Sequence, residues 1–167
     1  MTLGLANISA RGARAGLTIA ALGLVAVLAG CLGPAAAPSG GLAPGLVTPI
    51  SSEGAQMDRG AALGLINQYR SVRGVSALSA DTTLNAQAQA VAAQYAATGT
   101  APSRPSGASV MQLSAGYENF AETFSGWRNN RTDADALATS GASKAGLAVV
   151  YAPNSSYGTH WVLLMAP

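Results

Sequence analysis

The sequence is poor in the residues that most often carry chemistry. In 167 residues it holds one cysteine and one histidine, with aromatics at 5% and charged residues at 10%. A lone cysteine has no partner within the chain for a disulfide or a thiolate metal cluster. A lone histidine leaves zinc short of ligands, because zinc takes three or four protein N, S or O donors. No metal and no cofactor is expected. Basic character is also missing from the body of the chain. Of nine Lys and Arg, Arg11 and Arg14 stand ahead of the first apolar run, leaving seven to face seven Asp and Glu. A net charge of zero from residue 31 onward makes no electrostatic footprint for nucleic acid.

What is present first is an apolar run, "AGLTIAALGLVAVLAG", behind the two arginines. It is short for a bilayer span and the right length for the apolar region of a secretory signal. It ends in "LAGC", which closely resembles the lipobox of bacterial lipoproteins. The resemblance implies a signal peptide over 1–30, cleavage before Cys31, and fatty acylation (palmitate or a similar chain) of that residue. The alternatives are a plain secretory signal and a transmembrane anchor. Several acyl chains on Cys31 would hold the protein to a membrane more firmly than a single chain does. The implied location is the bacterial cell envelope, and Leu32 in place of aspartate after the cysteine points to the outer membrane.

Residues 31–52 are uncharged and rich in Pro, Gly, Ala and Ser, which predicts the acylated cysteine and a flexible tether. Residues 53–167 are enough for one modest core and too few for two. Within them, Ala62, Leu65, Ile66, Tyr69 and Val72 recur at helical spacing, predicting a helix from about 56 to 73 that stops at Gly74. A second helix is predicted from an Asp81 cap to Gly99, burying Leu84, Ala88, Val91 and Tyr95. "TAPSRPSGAS" reads as a loop. An extended piece follows, then a short helix over 121–129 and another turn or two capped by Thr132. "AGLAVVYA" and "THWVLLMA", joined by "PNSSYG", predict an antiparallel hairpin apolar on both faces, with helices covering each side.

Taken in order, these pieces resemble the CAP domain family of cysteine-rich secretory, antigen 5 and pathogenesis-related proteins. "LINQYRSVRGVSALSADTTLNAQAQAVAAQYAATG" resembles the family's opening segment, a helix ending in R-x-x-x-G and then L-x-x-D. "YENFAETFSGW" resembles the G-E-N-[IL]-A…W block with Tyr117 in place of glycine, and "GLAVVYAP" with "YGTHWVLLMA" the closing strands. The resemblance covers roughly 60–167 and implies an α+β fold, an α-β-α sandwich with a small antiparallel sheet between helices.

It also implies a cleft with two histidines and two acids. Glu118 matches the first acid and His160 the closing strand's histidine. The other two positions hold Ser103 and Asn130, and Asp133 stands near a histidine of the bacterial pattern, so half the tetrad is gone. Ser103, Asn130 and Asp133 are therefore cleft candidates, and Trp161 is either a core aromatic or a cleft wall. A Glu118–His160 pair has two readings. It hydrogen-bonds across the cleft and fixes the hairpin, or it does acid–base work as a degenerate hydrolase. Either way a neighbouring carboxylate is expected to raise the imidazole above about 6.5. The leading functional expectation is an envelope-anchored, non-catalytic binding module, held to the membrane by its lipid, for an apolar ligand or an envelope partner.

Overall fold

A computed structural model describes residues 41–167. The signal peptide expected at 1–30, Cys31 and the tether up to residue 40 lie outside the described residues.

The two long helices form where caps and apolar spacing agree. Helix α2 (Arg59–Val72) opens on Asp58, whose carboxylate accepts from the Ala61 N–H at 2.9 Å. It is followed by Gly74 at φ 71°, a left-handed position that glycine adopts without strain. Its inward positions are Ala62, Ile66 and Arg70, with Leu65 and Tyr69 half-buried. Val72, expected on the buried stripe, is instead 86% exposed, because the helix ends beyond the core. Helix α3 (Thr82–Thr98) opens on Asp81, which accepts from the Leu84 N–H at 2.8 Å, and stops at left-handed Gly99. Leu84, Ala88, Val91 and Ala92 are buried along it, and Tyr95 is half-buried.

Between these helices the two-residue strand β1 (Ser79–Ala80) pairs with a later strand. Strand β2 (Val110–Ala115) follows, then α4 (Phe120–Asn129) and α5 (Arg131–Leu137). Asn130 caps α5, not Thr132. Its backbone is extended (φ −91°, ψ 122°), as a cap requires, and its side chain accepts from the Asp133 N–H. The predicted hairpin is β3 (Lys144–Ala152) and β4 (Gly158–Ala166), antiparallel over their whole length. The sheet runs β1-β3-β4-β2, with β1 parallel to β3 and the other pairs antiparallel.

Strand alternation sorts β4 between two cores. Trp161, Leu163 and Met165 join Ile66, Phe120, Phe124, Trp127 and Leu137 on the face covered by α2, α4 and α5. Val162, Leu164 and Ala166 join Leu84, Ala88, Val91 and Ala92 on the face covered by α3. This is an α+β sandwich. The second face is packed closely enough that Gly146 of β3 is required there. A Cβ at that position would lie 2.1 Å from the Leu84 backbone carbonyl carbon.

One expectation gives way inside the tether. A one-turn helix, α1 (Pro44–Val47), buries Leu46, and Ile50 follows it into the aromatic core, each 4% exposed. The Ile50 N–H donates to the Glu118 carbonyl at 2.7 Å, so the ordered domain begins before residue 53. Two apolar side chains, one of them directly after Pro49, suffice to dock a segment whose composition reads as linker.

Candidate functional site

The "ENFA" block and the closing strand do meet, but through the backbone. Gly116, at φ 86°, turns the chain out of β2. The Tyr117 carbonyl then accepts from Thr159 Oγ1 at 2.7 Å and from the Trp161 indole N–H at 2.9 Å. Asn119 caps α4 by accepting from the Glu122 N–H at 3.0 Å. Glu118 lies between these fixed points. It is exposed, and its N–H donates to the Glu122 carboxylate at 3.1 Å. It lines an open concavity of about 280 Å3 together with Ile50, Ser51, Tyr151, Tyr157 and Thr159.

His160 is not in that concavity. Thr159 and Trp161 reach the Tyr117 carbonyl from one face of β4, so His160 between them points to the other. There it is fully buried, edge-to-face with Tyr95 of α3 at 4.9 Å between ring centroids and with Tyr157 at 6.3 Å. Among the described residues neither imidazole nitrogen has a hydrogen-bond partner. Burial without a counter-charge lowers its pKa from the ordinary 6.5, the opposite of the rise expected from a carboxylate neighbour. The paired Glu118–His160 reading is therefore corrected. The two are parted by the sheet, and the position facing Glu118 on this strand is Thr159. A displacement of one residue along a strand moves a side chain to the opposite face.

The remaining expected residues also fall apart. Ser103 is exposed in the loop after α3. Asn130 is occupied as the α5 cap. Asp133 is half-buried with its pKa raised by burial, and its carbonyl accepts from the Gln112 side chain. Trp161 is 1% exposed and belongs to the core. Among the described residues no three His, Cys, Asp or Glu side chains come together as a metal-binding group.

Two features went unread in the sequence. Arg70, the arginine of R-x-x-x-G, is fully buried and has no carboxylate partner among the described residues. Its guanidinium donates instead to four main-chain carbonyls: Ser76 at 2.8 Å, Leu137 at 2.7 Å, Thr139 at 3.1 Å and Ala142 at 3.2 Å. It ties α2 to the segment that follows α5. The second is a groove of about 370 Å3 between α2 and α4, walled by Leu65, Tyr69, Val72 and Phe124 with Gln68 and Arg128 at its rim. The signal for it was the α2 apolar stripe, which is wider than the core needs.

Comparison with known proteins agrees with the layers. Residues 63–165 match the family model described as CAP, the cysteine-rich secretory protein family. The structure of MpPR-1i is similar with a TM-score of 0.54 at 19% identity, covering 65% of this chain and 86% of that one. An extracellular Bacillus anthracis protein containing an SCP domain gives 0.52 at 14% identity, covering 64% of this chain and 39% of that one. No curated protein matches the sequence.

Proposed function

This chain belongs to the cysteine-rich secretory protein (CAP) family, and we propose that it serves as a non-catalytic binding module, held at the bacterial envelope by acylated Cys31. The ligand is an apolar molecule with an anionic head, seated between α2 and α4. The observation that carries this reading is the groove itself. An unpartnered Val72, 86% exposed, continues a wall of Leu65, Tyr69 and Phe124, and its volume falls in the range of small-molecule sites. Arg128 at the rim has no ion pair among the described residues and suits a carboxylate or phosphate head, while the walls suit a hydrocarbon tail. The acid–base alternative loses its support, because Glu118 and His160 occupy opposite faces of β4.

The test is binding of a straight-chain fatty acid to the purified chain. Val72→Asp puts a carboxylate on the wall at an exposed position and is expected to weaken binding about tenfold or more with the melting temperature unchanged. Arg128→Gln is expected to weaken the acid but not the matching alcohol. Unchanged fatty-acid binding in both variants removes the groove from consideration. The lipid anchor is tested separately. Cys31→Ala is expected to abolish incorporation of a radioactive fatty acid, and equal labelling of variant and parent overturns the anchor.

A further inference from the structure

The outer edge of the sheet is covered for two residues only. Strand β1 pairs with β3 at Lys144 and Ala145 and then leaves. At Leu147 side chains take over: the N–H donates to Asn85 Oδ1 at 2.9 Å, and the carbonyl accepts from Arg59 Nε at 2.8 Å. Outward-facing groups alternate along an antiparallel strand, so the N–H and carbonyl of Val149 and Tyr151 point to the same edge. Among the described residues they make no backbone hydrogen bond outside the sheet. An edge whose main-chain groups lack hydrogen-bond partners is a template for another strand.

Arg59 stands at the start of that free edge. It is half-buried, and with its Nε fixed on the Leu147 carbonyl neither terminal nitrogen has a protein partner among the described residues. The one ion pair among the described residues is Arg73–Asp135, so no carboxylate meets the Arg59 charge. A concavity of about 170 Å3 opens here between the edge residues Val149 and Tyr151 and the segment 54–57, with Arg59, Gln56 and Gln89 also lining it. Among the described residues no acidic side chain lines it.

We propose that this concavity binds the carboxylate end of an extended peptide. The terminal nitrogens of Arg59 form a fork matched to two carboxylate oxygens. The main chain just before that terminus pairs with Val149 and Tyr151 as a short added strand. Gln56 and Gln89 flank the carboxylate with neutral donors. Charge selects a terminus, and the edge selects a peptide over a small acid. This site lies apart from the α2–α4 groove and does not depend on it.

The experiment titrates the full chain with three probes: N-acetyl-trialanine with a free carboxylate, the same peptide as its C-terminal amide, and acetate. Calorimetry gives the affinities, and amide NMR shifts at Val149 and Tyr151 report the edge. The free-carboxylate peptide is expected to bind and to move both amides. The amidated peptide and acetate are each expected to bind about tenfold or more weakly. Arg59→Gln is expected to lose the preference for the carboxylate, and Arg59→Lys to keep only part of it, since an ammonium lacks the fork. Because Arg59 also holds Leu147, Gln89→Glu provides an independent arm. It places a negative charge at the exposed rim and is expected to weaken the acid peptide while sparing the amide. Equal affinity for acid and amide peptides, acetate binding as tightly as the peptide, absence of binding, or indifference to both Arg59→Gln and Gln89→Glu each overturns the proposal.

Discussion

The two faces of the sheet solve the same packing problem with different residues. The α3 face is built from small side chains, with Ala88, Ala92, Ala148 and Gly146 bringing helix and strand close together. The opposite face uses aromatics, with Phe120 within about 6 Å of the rings of Phe124, Trp127 and Trp161, and admits a buried guanidinium. Close packing surrounds a polar group on the α3 face with apolar side chains, and His160 there has no hydrogen-bond partner among the described residues. Larger side chains pack with seams between the helices, and the groove at Phe124 and the Glu118 concavity border that side, while the Arg59 pocket also touches Gln89 of α3 and a further concavity lies between the end of α3 and the β3–β4 turn. The groove proposed above to bind a ligand lies on the aromatic side.

Arg70 gives the largest expected break in this contrast. Arg70→Ala leaves carbonyls from four residues without donors on the aromatic face. Each buried polar group so orphaned costs about 1–3 kcal/mol, so a loss of about 4 kcal/mol is expected even if water reaches some of them. Urea denaturation reads it, and a loss under about 1 kcal/mol would mean that the carbonyls are satisfied another way.

Next is Gly146→Ala on the α3 face. The added methyl meets the Leu84 backbone, not a mobile side-chain tip, so the helix must move. Overpacking of this kind costs about 1–3 kcal/mol, and the upper end is expected here. Glycine at 126 makes the contrast within the same molecule. A Cβ there would meet the Tyr117 phenol oxygen at 2.8 Å, the far end of a side chain that can swing away. Gly126→Ala is expected to cost less than Gly146→Ala, and the reverse order in denaturation midpoints would deny that α3 is the tightly packed side.

The sequence disclosed the parts of this arrangement that rest on local chemistry. Asp81 and Gly99 bound α3 because a cap and a left-handed stop are properties of single residues. The hairpin was legible because apolar β-formers flank good turn chemistry. What stayed hidden depends on neighbours distant in sequence. Leu46 and Ile50 are buried only because α4 stands beside them, and no periodicity in two side chains could announce that. Arg70 looked like one more polar helix residue until the carbonyls it collects came together. The family resemblance named the strand and the turn that meet, and His160 nonetheless lies on the other face of that strand. Alternation was readable from the start; which parity faced Glu118 was set by the hydrogen bonds to the Tyr117 carbonyl.

The smallest effect, and the sharpest test of the two faces, is the titration of His160. Its folded pKa lies below the ordinary value, so between the two the unfolded chain binds more protons than the folded one. Stability is then fully present above about 6.5 and is lost as pH falls through that value toward the folded pKa. His160→Phe removes two unpartnered nitrogens while keeping an aromatic ring against Tyr95. It is expected to leave neutral-pH stability within about 1 kcal/mol of the parent, or to raise it, and to flatten the decline on the acid side. The single imidazole is measurable directly by NMR. A paired histidine would titrate above 6.5 and fall when Glu118→Gln removes the carboxylate. A histidine sealed behind the sheet titrates below 6.5, and Glu118→Gln leaves it unmoved, because the exposed carboxylate lies across β4 and is screened by water. A downward shift in Glu118→Gln would reunite the two residues in one cleft and return the acid–base reading to this protein.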